Sequence, residues 1–203
     1  MSSDTYRTIA GSAHTRIPKI KGSRFIGDAF PVADVESANE RTADIREREP
    51  DATHHCWAYR LGIAGDTFRY DDDGEPSGTA GQPILRQIDG RDLTNLLVVV
   101  TRYYGGTNLG TGGLVHAYGD AAAAVLDEAV IVEGVIQESL HLTFAYSDTS
   151  AVEQVLHRFD AEVSDSSYTD ITELEVRVRR SEVEDFRRVL TDALGGRVRF
   201  VSS

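Results

Sequence analysis

A chain of 203 residues, 40% hydrophobic and 27% charged, has a globular composition and can bury one sizeable core or two small ones; it is neither fibrous nor disordered in character. Its 21 basic residues face 33 acidic ones, and the formal net charge of −12 argues against strong non-specific affinity for nucleic acid while leaving room for a local basic patch. Cys56 is the only cysteine, which excludes an intrachain disulfide and a cysteine-based zinc site; no apolar run approaches the roughly 18–20 residues of a membrane helix and no secretory pattern opens the chain, so a soluble, cytoplasmic protein with no membrane partner is expected.

Lysine occurs only at Lys19 and Lys21, and the other basic residues are arginine. Such a composition fits adaptation to high salt, and equally a GC-rich genome.

In chain order, Tyr6 to Ala10 is β-prone and Ser23 to Val32 alternates in part, ending at Pro31. Asp34 can cap a helix in which Val35, Ala38, Thr42 and Ile45 recur at helical spacing, with Pro50 and Asp51 as its stop. His55 to Leu61 reads as a strand, with His55, Trp57, Tyr59 and Leu61 on one face and Cys56, Ala58 and Arg60 on the other. Residues 70–81 (YDDDGEPSGTAG) are turn chemistry throughout. Pro83 suits the first turn of a short helix closed by Gly90, and Leu96 to Val100 reads as a central strand covered on both faces.

From Leu114 the pattern Leu114, Tyr118, Ala122, Val125 is helical, and Ala129 to Glu133 is a further strand. Beyond Gly134 the character changes. A strand over Leu140 to Tyr146 precedes a helix capped by Asp148; strands over Ala161 to Tyr168 and Ile171 to Arg179 follow. Ser181 and Glu184 form a capping box for a helix ended by Gly195, and Arg197 to Val201 closes the series. The order β-α-β-β-α-β is that of a ferredoxin-like sandwich. Two domains are expected, 1–134 and 135–203.

Ten of the 18 glycines lie between Gly74 and Gly119, a density that implies positive φ or close backbone approach. The run Gly110 to Gly113 just before the Leu114 helix is either an anion site of exposed N–H groups or a tight turn that lets strand and helix pack closely. No GxGxxG after a strand and no GxxxxGK[ST] is present, and Ser77 is not in a G-x-S-x-G elbow, so neither a nucleotide fingerprint nor that kind of hydrolase is expected. Arg102, Tyr103 and Tyr104 can hold a phosphate and stack a base; alternatively both tyrosines pack on the core and Arg102 pairs with one of the acids Asp71 to Glu75. His54 and His55 face opposite sides of a strand and cannot easily share a ligand. Neither a Cys56 nucleophile nor a metal site at Asp71 to Asp73 is favoured, and no cofactor is implied.

At this point residues 72–85 (DDGEPSGTAGQPIL) and 95–114 (NLLVVVTRYYGGTNLGTGGL) resemble the signature of the IMPACT/YigZ family. Residues 22–26 (GSRFI) and 52–59 (ATHHCWAY) are similar to two earlier blocks of it. The resemblance implies an α+β protein. Its N-terminal domain would have the left-handed β-α-β topology of a domain of elongation factor G, and a ferredoxin-like domain would follow. It also implies regulation of translation, with bacterial members expected to bind nucleic acid or ribosomes and no reaction assigned. Two positions depart from the family pattern, Asn108 for an expected lysine and His116 for an expected arginine, and both remove positive charge.

The leading expectation is a translation-associated protein that binds RNA, the ribosome or a translation-factor protein. Its binding residues would be Arg24, His54, Glu75, Ser77, Arg102, Tyr103, Tyr104, Gly105, Gly106, Asn108, Gly112, Gly113 and His116. The alternative is an enzyme on a small anionic or phosphorylated substrate, with Glu75 or His55 as the acid/base group and the Gly110 to Gly113 turn as the anion holder. A purely protein-interaction role is the third possibility, and nothing in the sequence speaks to oligomeric state.

Overall fold

The computed structural model describes residues 4–168 and 171–201. These divide into two compact units, Tyr6–Gly134 and a second formed by residues 135–201 together with Asp4 and Thr5.

The first unit is built around one strand. β6 (Leu96–Tyr103) is buried from Leu96 to Arg102 and lies in the middle of a five-stranded sheet. The other strands are β2 (Ala13–Arg16), β3 (Arg24–Pro31), β4 (His54–Leu61) and β5 (Thr67–Asp71), in the order β2-β3-β6-β4-β5, antiparallel at every step. Side chains alternate across a strand, so an unbroken apolar run must feed two cores. Leu96, Val98 and Val100 join Cys56, Ala58, Ile84, Ile88, Leu114, Tyr118 and Val125 on one side. Leu97 and Val99 join Val32, Ala38, Ile45, Tyr59 and Leu61 on the other. Each fully buried Val, Leu or Ile contributes about 1.5–3 kcal/mol of transfer free energy.

Helix α1 (Val35–Arg48) covers the second of these faces. Asp34 caps it as expected, its carboxylate accepting the Ser37 N–H at 2.8 Å, and the helix ends just ahead of Pro50. Helices α2 (Gly81–Asp89) and α3 (Gly110–Glu128) cover the first face. A two-stranded sheet pairs β1 (Thr5–Ile9) with β7 (Ile131–Val135). The structure adds β2 and β5 to the elements expected from sequence. Both are short, polar edge strands, and Tyr70 and Asp71 therefore end a strand rather than belonging to a turn.

The second unit runs β8 (Gln137–Ala145), α4 (Thr149–Arg158), β9 (Glu162–Tyr168), β10 (Ile171–Arg179), α5 (Val183–Ala193) and β11 (Arg199–Val201), with sheet order β11-β8-β10-β9. This is the ferredoxin-like arrangement. The alternation of β10 holds, with Leu174, Val176 and Val178 buried against Phe186, Leu190, Val152 and Val155. Two expected caps do not form. Ser181 lies in a 3-10 turn, and its N–H donates to the Asp4 carboxylate at 3.1 and 3.2 Å; α5 begins after Glu182 without a side-chain cap. Asp148 precedes α4, but its carboxylate is taken by Arg197 at 2.9 and 3.1 Å, a charged partner that outcompetes a backbone amide.

Candidate functional site

The acidic run at residues 71–73 is half-buried and fastens a loop. The Asp72 carboxylate accepts N–H bonds from Gly78 at 2.7 Å and from Ala80 and Gly81 at 2.9 Å, which satisfies the start of α2. Asp73 receives the His55 N–H and the Arg46 guanidinium, each at 2.6 Å. Among the described residues, no group of three or more His, Cys, Asp or Glu side chains is placed to hold a metal ion.

The fastened loop carries Glu75 inward. Its side chain is 5% exposed, as is that of Arg102, and the two form a direct ion pair through Glu75 Oε1 and Arg102 Nη1. Tyr118, from α3, donates its hydroxyl to the same oxygen at 2.8 Å. Arg102 Nη2 reaches Ser23 Oγ at 3.4 Å, and Ser23 Oγ also accepts the Gly105 N–H at 3.1 Å. Cys56 and Tyr118 complete the cluster. The thiol donates to the Asp72 carbonyl, and burial pushes both the thiol and the Tyr118 hydroxyl far above their ordinary pKa values. Neither is a nucleophile at neutral pH.

His54 borders this cluster. Its Nδ1 lies 2.8 Å from the Asp73 carbonyl oxygen, and its Nε2 lies 3.8 Å from Glu75 Oε1. Strand alternation puts His54 and Arg102, cross-strand partners, on the α2/α3 side. The same alternation sends Arg24, Tyr103 and His55 to the α1 side. There Arg24 sits 4.1 Å from the Tyr103 ring centroid, Tyr103 donates its hydroxyl to Glu49 at 2.6 Å, and His55 Nε2 is 3.0 Å from the Glu49 carbonyl. Glu75 and His55, the alternative acid/base candidates, therefore lie on opposite sides of the sheet, and the histidine beside Glu75 is His54.

The remaining candidates lie in the loop after β6, in the loop before α2 and in α3. Tyr104 is 46% exposed, and its hydroxyl bonds Asn108 at 3.2 Å. A Cβ on Gly105 would lie 2.0 Å from the Gly22 carbonyl carbon, so only glycine allows this crossing. α3 begins at Gly110 itself, so Gly112 and Gly113 form its first turn rather than a turn ahead of it, and no side chain caps that end. Ser77 and Gly106 are exposed. His116 lines a shallow groove of about 170 Å³ with Pro83 and Arg86, away from Glu75.

Sequence reasoning missed Tyr118, which is indistinguishable from the apolar stripe of its helix, and Ser23, for which its place in the GSRFI block was the available signal. It also missed the place of the two lysines, although their rarity was the available clue. Lys19 and Lys21 are exposed on the segment that ends in the Lys21–Gly22 turn, closed by paired Ile20–Ser23 backbone bonds of 3.0 and 2.9 Å. Both turn residues have positive φ, and this turn packs against Gly105.

The fold and site define a class: a two-unit α+β protein whose first unit interlocks glycine-rich loops over a buried carboxylate–guanidinium pair. Residues 21–126 match the model of the Impact N-terminal domain, and residues 142–197 match one described as a domain of unknown function (DUF1949). The chain is similar to IMPACT family member YigZ of Escherichia coli, 34% identical over 93% of each protein. It is 30% identical to Protein IMPACT of Rattus norvegicus over 46% of this chain and 31% of that protein. A solved structure titled as that of a hypothetical protein superimposes with a TM-score of 0.77 at 32% identity, covering 99% of this chain and 98% of the other. The chain belongs to the IMPACT family. No helix among the described residues is long and apolar enough to cross a membrane.

Proposed function

We propose that this chain is a cytoplasmic, translation-associated binding protein whose glycine-rich face docks on RNA, including RNA within the ribosome. The observation that carries the reading is the lock between the Lys21–Gly22 turn and Gly105. It sets the segment that carries both lysines of an acidic chain against the segment that carries Gly105 and its exposed neighbours Tyr104 and Gly106. Lysines supply phosphate contacts, and a protruding aromatic supplies a stacking platform for a base. Arg102 does not serve as the phosphate contact, because its charge is matched internally by Glu75. Membership of the IMPACT family supports the link to translation.

Sedimentation with ribosomes and gel shifts of single-stranded RNA across a salt series test this. Wild type binds. Lys19→Glu with Lys21→Glu weakens binding and flattens the salt dependence by about 0.7 in log–log slope for each phosphate no longer neutralised. Tyr104→Ala costs about 1–3 kcal/mol of binding at any salt. Absence of binding by wild type, or unchanged binding by these variants, overturns the reading.

A further inference from the structure

The segment that forms the β2–β3 hairpin carries charge of one sign. Between Asp4 and Asp28 stand Arg7, Arg16, Lys19, Lys21 and Arg24 and no Asp or Glu, in a chain whose net charge is −12. Register sets two of these cations side by side. Arg16 pairs with Ile26, and Arg24 stands two residues from Ile26 on β3. Such diagonal neighbours are about 7–8 Å apart at Cα, within reach of each other for long side chains. Ile26 is opposite Thr101 and Arg24 is opposite Tyr103, which puts both arginines on the α1 side of the sheet.

Two acids of that side are already engaged. Asp28, only 2% exposed, has Oδ1 at 2.8 Å from both His14 Nδ1 and Arg48 Nη2. Glu49 accepts the Tyr103 hydroxyl at 2.6 Å and lies 3.8 Å from Arg48 Nε. Asp51, just past the end of α1, pairs with neither hairpin arginine, and among the described residues Arg16 and Arg24 have no carboxylate partner. Arg24 instead lies over the Tyr103 ring, 4.1 Å from its centroid. Adjacent guanidiniums without a counter-charge repel each other, and a bound anion relieves that repulsion. Stacking on a ring whose hydroxyl is itself anchored holds the Arg24 plane in place. Its N–H edge is then free for the two parallel bonds by which a guanidinium recognises phosphate.

We infer that Arg16 and Arg24 form a site for a phosphate group on the α1 side of the hairpin, filled by an RNA phosphodiester or by free phosphate. The first of these sources rests on the RNA-binding reading above; the site itself does not.

Isothermal titration of the full chain with inorganic phosphate, at an ionic strength held constant with potassium chloride, tests the site. Wild type is expected to bind. Arg16→Gln and Arg24→Gln are each expected to weaken binding about tenfold, the factor set by one hydrogen bond to a charged group. Arg69→Gln removes the same charge from β5, the opposite edge of the sheet, and is expected to bind as wild type does. Arg16 is exposed and gives up no partner, so its variant keeps the fold. No binding of phosphate by wild type, or equal losses in Arg16→Gln and Arg69→Gln, overturns the site. Fluorescence anisotropy with a single-stranded RNA on the same proteins then separates the sources. A comparable loss of RNA affinity in Arg16→Gln but not in Arg69→Gln assigns the site to an RNA phosphodiester. Unchanged RNA affinity in Arg16→Gln assigns it to free phosphate. RNA left unbound by wild type overturns the RNA reading while the phosphate site stands.

Discussion

Glu75 and Arg102 are 27 residues apart, and each is only 5% exposed. Placing two charges in such a site is costly unless they meet, and removing one partner leaves the other buried and alone. Arg102→Met and Glu75→Leu are each expected to lower unfolding stability by about 3–5 kcal/mol. The double substitution should recover much of that loss. Urea titrations of the four proteins form a double-mutant cycle, and additive losses would show that the pair is not coupled. Cys56 offers an independent check. Burial raises its thiol far above the usual range, so it should resist a disulfide reagent at pH 8 in the native protein and react promptly in denaturant. Some of this was legible beforehand. Alternation along β4 separates His54 from His55, but it does not say which face the Glu75 loop will cover. That depends on Asp72 and Asp73 folding the loop back, a set of side-chain-to-backbone bonds with no periodic signature.

At the scale of elements, periodicity revealed what was buried and concealed what was at the edge. β6 and β10 announce themselves through apolar run and clean alternation. β2 and β5 are recruited by pairing with β3 and β4 rather than by their own residues. The glycine density pointed to close approach without naming the partner, which is Gly22 against Gly105. Gly105→Ala must displace backbone atoms 2.0 and 2.2 Å away, whereas Gly106→Ala meets no neighbour and strains only its φ of +85°. The first should therefore lower the thermal midpoint substantially more than the second, for which about 1–2 kcal/mol is expected. Equal shifts would mean that the crossing gives way.

The cap of α1 is testable by pH. The Ser37 backbone N–H, followed by its hydroxyl, holds the Asp34 carboxyl below the ordinary carboxylate range. A depressed folded-state pKa gives stability that is fully present above the unfolded value, about 3.9, and is lost as pH falls through the folded value. Asp34→Asn retains an acceptor without the charge. Wild type should exceed it in urea midpoint at pH 7, and the two should converge near pH 2; a gap that persists at low pH would assign the effect to something other than ionisation.

For the whole molecule, the change of character near Gly134 and the β-α-β-β-α-β order led to an expectation of two domains; the described residues divide into two compact units, with apolar clusters within each. The caps at Asp148 and Ser181 were misread because Arg197 and Asp4 lie far from them in sequence. Charge is also a property of the entire chain. A net −12 implies mutual repulsion among carboxylates, many of them exposed, whereas the Glu75–Arg102 pair is sheltered from solvent ions. Potassium chloride should therefore raise the thermal midpoint, and the form of the rise separates two causes. The screening length falls to about 10 Å at 0.1 M and about 3 Å at 1 M, so relief of repulsion is largely complete within the first few tenths molar. Salting-out of apolar surface, by contrast, keeps increasing with concentration. A steep rise that levels off identifies self-repulsion as the term being relieved, and the same curve for Glu75→Leu with Arg102→Met should run parallel to that of wild type. A midpoint indifferent to salt would mean that the acidic surface is already balanced by its local ion pairs.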